Sequence, residues 1–294
     1  MPNFYAKSNK IAKKTELYLK SVFSKQNKSS FLIEAMNYGI FSGGKRFRSV
    51  IVSNTGKIFN INKKKLIIIG SAIECIHSYS LIHDDLPAMD NDNFRRGKPS
   101  MHKKYNEFTA ILAGSSLLTL AFEILSSKDL KISQIYKNQL VKTLSRCSGH
   151  LGLAGGQYLD LTFENKKISK KRIINMQRKK TGELFGFCCE SIGIIIGLKK
   201  KERKKLKEIG LDIGLLFQIV DDLIDYKGNY KIAGKKTNKD KKRGKATLIN
   251  TLGYDNTLKY ANNLKKNIII SLNKFGKNAE DFKKTIDFIF SRRK

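Results

Sequence analysis

The feature that most constrains the fold of this chain is a set of long segments without proline. Each would be apolar around most of its circumference if it formed a helix. Segments 110–125, 173–198 and 205–226 have this pattern, which is typical of helices buried inside a large bundle. The sequence has no run of alternating apolar and polar residues and no hairpin signal, so it favours helices over strands. We therefore predict an all-α fold, a large helical bundle. No internal period, linker or break in composition divides the chain, so residues 1–294 are expected to form a single domain.

The charge of the chain raises the question of a nucleic-acid partner. Lys and Arg number 58 against 25 Asp and Glu, which gives a formal net charge of +33. Only 11 of the basic residues are Arg, and the 47 Lys are scattered along the whole chain. Arg is the residue that reads bases and clamps phosphates in pairs of hydrogen bonds. The scattered Lys residues therefore favour a solvated basic surface, and we expect no nucleic-acid partner.

Cysteine spacing and apolar run lengths bear on the compartment. The cysteines at 75, 147, 188 and 189 have neither the number nor the spacing of a disulfide framework or a zinc site, which indicates a reducing environment. The first residues contain no apolar signal region, and the aliphatic runs 66–69 and 192–198 are far shorter than the roughly 20 residues that span a bilayer. We expect a cytoplasmic protein with no stable membrane insertion.

The strongest local signal is a cluster of carboxylates formed by Asp84, Asp85 and Asp90, which follows an apolar helical run. Pro87 should end or kink the helix and let Asp90 return toward the other two. Burying neighbouring carboxylates is costly unless a cation compensates them. Oxygen ligands without His or Cys favour a hard cation, so Mg²⁺ is predicted rather than Zn²⁺.

A second acidic cluster, Asp221, Asp222 and Asp225, closes the apolar run 215–220. On a helix, positions 221 and 225 lie one turn apart on the same face, with 222 beside them. One such cluster alone is more often a solvated helix end, but two clusters on near-apolar helices favour a binding site. Because Mg²⁺ is commonly shared between one or two carboxylates and substrate phosphates, the sequence predicts a diphosphate pocket.

With both clusters in this order, the chain resembles the trans-isoprenyl diphosphate synthase family, and within it the bacterial farnesyl diphosphate synthases. The resemblance runs from the motif at 43–48 to the basic C-terminus at 292–294. It implies an all-α bundle around a deep central cavity, usually a homodimer. It also implies a prenyltransferase that joins isopentenyl diphosphate to dimethylallyl or geranyl diphosphate, releases diphosphate and makes mainly farnesyl diphosphate. The implied cofactor is Mg²⁺, about three ions per active site, shared with the substrate diphosphate.

The resemblance assigns roles residue by residue. It implies that Asp84, Asp85, Asp90, Asp221, Asp222 and Asp225 bind metal. It implies that isopentenyl diphosphate is bound by Gly44, Lys45, Arg48, His77 and Arg96. It implies that the allylic diphosphate is contacted by Arg95, Lys180, Thr181, Lys235 and Lys245, with Gln218 beside the reacting carbons. The implied catalytic set is Asp84, Asp85, Asp90, Asp221, Lys180 and Arg95.

Product length is expected to depend on residues just before the first acidic cluster. Tyr79 and Ser80 precede Asp84 by five and four residues, so Tyr79 lies between one and two helical turns below the metal site. A phenol ring there would block a growing tail. In the family, an aromatic residue at this position together with the insertion that includes Pro87 is typical of a fifteen-carbon product. The alternative is that Tyr79 is an ordinary core residue.

The chain departs from the family pattern at Ser115, Gln177, Asn238 and the segment 247–249. These positions bear on loops and stability, because none is a metal-binding carboxylate. The alternative functions are a synthase of geranyl or geranylgeranyl diphosphate, a terpene cyclase, a basic nucleic-acid-binding protein and an inactive scaffold. The resemblance predicts a different second motif for a cyclase, and a scaffold would have lost ligands from the two acidic clusters.

Overall fold

The computed structural model describes residues 2–26, 30–227 and 244–292. It confirms the predicted all-α fold, since most of the described residues are helical and the two strands among them are two residues long each. The chain separates into two compact units, Met1–Gly56 with Asn60–Val141 and Lys57–Phe59 with Lys142–Lys294, called the first and second unit below. The expectation of a single domain stays a prediction.

The first unit is built around a long apolar helix. Its elements are α1 (Pro2–Phe23), α2 (Phe31–Ile40), α3 (Phe47–Ile58, whose last two residues belong to the second unit), α4 (Lys63–Asp84), β1 (Phe94–Arg95), β2 (Lys98–Pro99), α5 (Met101–Lys104), α6 (Glu107–Ser126) and the first half of α7 (Gln134–Ser148). Helix α4 is central, since α1, α2 and α6 all pack against it. The Asn62 side chain begins α4 by accepting a hydrogen bond of 2.8 Å from the backbone N–H of Lys64, as a good N-cap does.

The second unit has a helix pair as its core. After the end of α7 come α8 (Leu153–Thr162), α9 (Lys170–Gln177), a π-helical segment (Arg178–Gly182), α10 (Glu183–Ile195), α11 (Lys200–Lys227), α12 (Leu248–Leu252), α13 (Tyr254–Asn273), a short 3₁₀ turn (Gly276–Ala279) and α14 (Glu280–Ser291). Helices α10 and α11 pack along one another. Thr247, one of the departures from the family pattern, caps α12 by accepting from the N–H of Asn250 at 3.3 Å.

Two small features were not expected from the sequence. Strands β1 and β2 pair in an antiparallel hairpin with Phe94 opposite Pro99 and Arg95 opposite Lys98. The two turn residues, Arg96 and Gly97, both have positive φ, 53° and 76°, as the tightest hairpin turns require. The second feature is the π-helical segment, which interrupts an otherwise continuous helical run at residues 178–182.

Helices α4 and α6, among the described residues, are long and apolar enough to cross a membrane by length and composition alone. In α4, 78% of the most apolar stretch is buried inside the protein, against 44% in α6. A buried core helix has the same length and composition, and α4 packs as one. Helix α6 leaves an apolar face exposed.

Candidate active site

The first acidic cluster lies where α4 ends. The helix stops at Asp84, just before Pro87, as the sequence predicted. The backbone N–H of Asp90 then donates to the carbonyl of Asp84 at 2.7 Å, and that of Asp92 donates to the carbonyl of Asp85 at 3.1 Å. The segment after the helix therefore folds back on it, and Asp90 returns to the helix end as expected.

The three carboxylates of this cluster differ in their surroundings. Asp84 and Asp90 are partly exposed, whereas Asp85 is only 2% exposed and is paired with the guanidinium of Arg95. Asp92 lies 3.8 Å from the same guanidinium. Burial alone would lower the pKa of Arg95, but these carboxylates outweigh burial and raise it. Arg95 is therefore a fixed positive charge beside the cluster.

A second group of residues in the first unit brings several positive charges close together. It consists of Gly44, Lys45, Arg48, His77 and Arg96 and is called the cationic group. The guanidinium of Arg96 donates to the carbonyl of Gly43 and lies directly over Gly44, where a Cβ atom would come within 2.6 Å of it. Burial, and then the nearby Arg46, lower the pKa of Arg96 to about 10. Burial and four arginines, of which Arg48 and Arg96 act most strongly, hold the pKa of His77 well below its ordinary value. The structure thus brings Gly44, Arg48, His77 and Arg96 together, with the exposed Lys45 next in sequence to Gly44.

Arg46 is a residue of this site that the sequence analysis missed. It is 3% exposed and adopts a positive φ of 47°. Its guanidinium donates to Glu16 at 3.2 Å and to the carbonyl of Ile40, and lies 3.8 Å from the buried carboxylate of Glu74. Arg46 therefore anchors the segment that presents Lys45 and Arg48. Its place in the motif at 43–48 was visible in the sequence, but its acidic partners, the half-buried Glu16 on α1 and the buried Glu74 on α4, were not.

Tyr79 is held by an aromatic contact on α4. Its ring packs edge-on against the imidazole of His83 at 4.8 Å between centroids. A ring nitrogen of His83 lies 3.1 Å from the carbonyl of Ile111 on α6, which fixes the imidazole in turn. Burial, and then Asp84, raise the pKa of Tyr79, so its phenol stays neutral near pH 7. Ser80, the next residue, is 8% exposed and donates to the carbonyl of His77 at 2.9 Å.

In the second unit, the carboxylates of the second acidic cluster are engaged by neighbouring side chains. Asp222 accepts hydrogen bonds from the amides of Gln177 at 2.9 Å and Gln218 at 2.8 Å. Asp221, 43% exposed at its side chain, pairs with Arg292 at 3.0 Å. Asp225 is 5% exposed. Gln177, one of the departures from the family pattern, thus orients Asp222, and Arg292 is a second partner that the sequence analysis did not assign.

Arg292 is positioned by more than its ion pair. Its guanidinium lies 3.6 Å from the centre of the Phe217 ring and donates to the carbonyl of Phe217 at 3.0 Å. Burial lowers the pKa of Arg292, and Asp221 opposes that effect. Arg292 therefore supplies a positive charge to one carboxylate of the second cluster.

The π-helical segment carries Lys180 and Thr181. Helix segments of this kind are rare and are frequent at functional sites. Lys180 pairs with Asp160 on α8 at 2.6 Å, and Lys245 reaches the same carboxylate oxygen at 3.3 Å. Burial alone would raise the pKa of Asp160, but the two ammonium groups outweigh burial and lower it. Thr181 donates to the amide oxygen of Gln218 at 3.0 Å. Asp160, which the sequence analysis did not single out, is therefore the residue that joins Lys180 to Lys245.

The part of the chain that the structure describes holds no group of three or more His, Cys, Asp or Glu side chains arranged to bind a metal by themselves. Mg²⁺ usually takes one or two protein carboxylates and completes its shell with water and phosphate oxygens. The carboxylates of Asp84 and Asp90 fit such an ion, because they offer only oxygen ligands and a backbone hydrogen bond holds the two residues next to each other. Lys235, predicted to contact the allylic diphosphate, and Asn238 lie outside the described residues.

Comparisons with known proteins identify the family. The model of the polyprenyl synthetase family matches residues 29–288. The farnesyl diphosphate synthase of Micrococcus luteus is 38% identical over 265 residues, which cover 90% of each chain. A solved structure of an FPP/GFPP synthase from Zymomonas mobilis is 36% identical, covers 98% of this chain and 99% of its own, and superposes with a TM-score of 0.86.

A further solved structure, geranyltransferase from Helicobacter pylori, is complexed with magnesium and isoprenyl diphosphate. It is 29% identical, covers 98% of this chain and 96% of its own, and superposes with a TM-score of 0.81. The family model and the relatives span nearly the whole chain, and the chain therefore belongs to the polyprenyl synthetase family.

Proposed function

We propose that the chain is a Mg²⁺-dependent prenyltransferase that condenses isopentenyl diphosphate with dimethylallyl or geranyl diphosphate, releases diphosphate and makes mainly farnesyl diphosphate. The observation that carries the proposal is the 38% identity to a farnesyl diphosphate synthase over 90% of both chains. The acidic clusters and the cationic group of the first unit support it, because the reaction needs groups that bind two diphosphates.

In this proposal the cationic group of the first unit holds isopentenyl diphosphate. Gly44 lets the guanidinium of Arg96 lie against the backbone, and Lys45 and Arg48 stand on either side of the anchored Arg46. Burial, and then the surrounding arginines, lower the pKa values of His77 and Arg96, and a bound diphosphate would neutralise the positive charge of those arginines. A neutral His77 contributes a hydrogen bond rather than a charge.

The allylic diphosphate is assigned to the metal-binding carboxylates and to four basic residues. Asp84, Asp85, Asp90 and Asp221, with Asp222 and Asp225, would hold about three Mg²⁺ ions shared with the substrate. Bound Mg²⁺ would neutralise the charge that develops on the departing diphosphate. Arg95, Lys180 and Lys245, together with Lys235, which lies outside the described residues, would add positive charge to the same diphosphate.

The protein's remaining tasks follow from the carbocation that this ionisation leaves behind. The hydroxyl of Thr181 and the amide of Gln218 form one hydrogen-bonded pair, whose oxygen dipoles suit an adjacent allylic cation. The double bond of isopentenyl diphosphate attacks that cation, and holding the two reactants together supplies roughly 7 kcal/mol or more of the barrier. The released diphosphate accepts the proton that the product loses. The site would also have to exclude water, which would quench the cation.

Product length is assigned to Tyr79, with Ser80 beside it. The Tyr79 ring is fixed by its contact with His83, so it suits the role of a floor under a fifteen-carbon chain. A longer product is the second candidate, because the Zymomonas relative is described as making both FPP and GFPP.

We further infer that the enzyme is a cytoplasmic homodimer that acts on small diphosphates and neither binds nucleic acid nor inserts into a membrane. The exposed apolar face of α6 supports the dimer: Phe108, Ile111 and Leu112 are 66%, 45% and 51% exposed. Their spacing puts them on one side of the helix, where a second copy would cover them.

One assay tests the proposed reaction. The purified chain is incubated with Mg²⁺, isopentenyl diphosphate and either dimethylallyl or geranyl diphosphate, and the products are sized by chromatography after dephosphorylation. We expect a fifteen-carbon product and stoichiometric release of diphosphate. No elongation of either allylic substrate would overturn the proposal.

Two variants test the metal role. Asp84→Ala and Asp221→Ala should each lower kcat by about a hundredfold or more, because a lost ligand removes transition-state charge stabilisation. Their circular dichroism should stay helical. Ile270→Ala, at a side chain 66% exposed on α13, is the control and should keep full activity. Wild-type kcat in either aspartate variant would contradict the metal role of that residue.

A further inference from the structure

Helix α8 buries a stripe that contains two polar residues. Leu153, Gly156, Gln157 and Asp160 are its buried positions, with the spacing that puts residues on one face of a helix. The neighbouring Tyr158 points outward and is 71% exposed. A buried helix face that served only for packing would be apolar, so the two buried polar residues require a separate explanation.

Among the residues that the structure describes, only one of the two has hydrogen-bond partners for its side chain. Asp160 is paired with Lys180 and Lys245. Gln157 is 5% exposed, and neither the nitrogen nor the oxygen of its side-chain amide has a hydrogen-bond partner among the described residues. A buried amide left in this state destabilises the folded protein, whereas a ligand that enters the site and bonds to it recovers that loss.

The position of Gln157 indicates which ligand that is. It precedes Asp160 by three residues, about 4.5 Å along the helix, on the same buried face. Gly156, which directly precedes Gln157, lies very close to the π-helical segment. A Cβ atom at this position would come within 2.1 Å of the backbone nitrogen of Lys180. Gln157 therefore flanks the segment whose lysine and threonine are assigned to the allylic diphosphate.

We propose that Gln157 is a binding residue for the allylic diphosphate, with its amide nitrogen donating to a phosphate oxygen and its amide oxygen accepting from water that enters with the ligand. An amide suits this place because Asp160 already supplies the negative charge that Lys180 and Lys245 need, and a second carboxylate would repel the diphosphate. This assignment rests on the proposed function and adds to it a residue that is unsatisfied until substrate binds.

The test replaces the amide by an apolar side chain of similar length, Gln157→Met. Removing an unsatisfied buried amide should raise the melting temperature of the free protein by a few degrees. Loss of a hydrogen bond to a charged group should raise KM for geranyl diphosphate about tenfold or more, with KM for isopentenyl diphosphate within about twofold of wild type. Isothermal titration with inorganic diphosphate and Mg²⁺ should show a Kd increase of similar size.

Gln157→Glu is the second variant and carries the test if the Met variant does not fold. It keeps the side-chain length but replaces the donor with a negative charge, so diphosphate binding should weaken more than in Gln157→Met. Gln134→Met, the same change at an exposed amide on α7, is the matched control and should alter neither the melting temperature nor the two KM values.

The outcomes separate this inference from the function on which it rests. If the wild type elongates geranyl diphosphate but both Gln157 variants bind inorganic diphosphate as tightly as the wild type does, a buried water satisfies the amide and the inference is overturned. If the wild type itself forms no product, the proposed function fails.

Discussion

At the scale of single residues, His77 shows how a cluster of like charges sets a protonation state. Burial and the surrounding arginines lower its pKa well below the ordinary value. The folded protein therefore keeps His77 neutral under conditions in which the unfolded chain, with a pKa near 6.5, takes up a proton. Because the unfolded state then binds more protons, stability falls as the pH drops below about 6.5 and is fully present above it.

We predict that His77→Gln weakens this pH dependence, because glutamine is neutral in both states. The loss of unfolding free energy between pH 7.5 and pH 5.0 should be smaller than in the wild type by at most about 2 kcal/mol, measured by urea denaturation. KM for isopentenyl diphosphate should stay within about threefold, since one neutral hydrogen-bonding group replaces another. His150→Gln, for an exposed histidine, is the control. An unchanged pH profile in His77→Gln would show that His77 titrates normally.

Tyr79 is the second residue whose surroundings define a prediction. Its ring is braced by His83, which is itself fixed by the carbonyl of Ile111. Tyr79→Ala removes the ring and opens space along α4, so the products should shift from fifteen carbons to twenty or more, measured by chromatography of the dephosphorylated prenols. Tyr79→Phe keeps the ring and should keep the product. If Tyr79→Ala still makes only farnesyl diphosphate, Tyr79 is a core residue and another side chain limits the chain.

At the scale of helices and strands, the sequence predicted those features that depend on residues close together in the chain. Pro87 was expected to end α4 and return Asp90 to the helix end, and the backbone hydrogen bond between Asp90 and Asp84 confirms it. The π-helical segment was not predicted, because residues 178–182 have no composition that separates a π turn from an α turn. The hairpin at 94–99 was not predicted, because each strand has only two residues, which are too few to show an alternating pattern.

Long-range pairing explains what the sequence analysis missed in the candidate site. Asp160 joins Lys180 and Lys245, which lie 20 and 85 residues away in the chain. Arg46 meets Glu16 and Glu74 from 30 and 28 residues away. Nothing in the local sequence separates these residues from ordinary surface charges. Residues of recognised motifs could be assigned in advance, whereas their buried partners required the fold.

The π-helical segment gives the prediction at this scale. Gly156→Ala would place a Cβ atom 2.1 Å from the backbone nitrogen of Lys180, and backbone cannot yield as a flexible side chain does. We expect a loss of about 2 kcal/mol or more of unfolding free energy, measured by urea denaturation. We also expect a larger rise in KM for geranyl diphosphate than for isopentenyl diphosphate, because the segment carries Lys180 and Thr181.

Gly193→Ala on α10 is the control for Gly156→Ala. Its nearest neighbours are side-chain atoms of Arg203 at 3.1 Å and Leu206 at 3.2 Å, which can move, and alanine favours the helix by about 1 kcal/mol over glycine. This variant should keep both KM values. Equal effects of the two variants on KM for geranyl diphosphate would show that the packing at Gly156 has no special part in placing Lys180.

At the scale of the whole molecule, the net charge of +33 acts on assembly. Carboxylates pair with many of the basic residues, but 25 acidic residues cannot neutralise 58 basic ones. Two copies of the chain therefore repel one another, and the repulsion is screened by salt over a Debye length of about 10 Å at 0.1 M. The apolar face of α6, which is proposed to join the two copies, consists of apolar side chains, so salt would not weaken it as it weakens an ion pair.

We predict that dimers form more readily as salt increases. Raising NaCl from 20 to 300 mM should lower the dimer Kd by about tenfold, measured by sedimentation velocity over a range of protein concentrations. Leu112→Glu places a carboxylate in the apolar face and should give monomers at both salt concentrations. Ile270→Glu makes the same charge change at another exposed aliphatic residue and should stay dimeric. A Kd that rises with salt would mean that ion pairs, and not the α6 face, join the two copies.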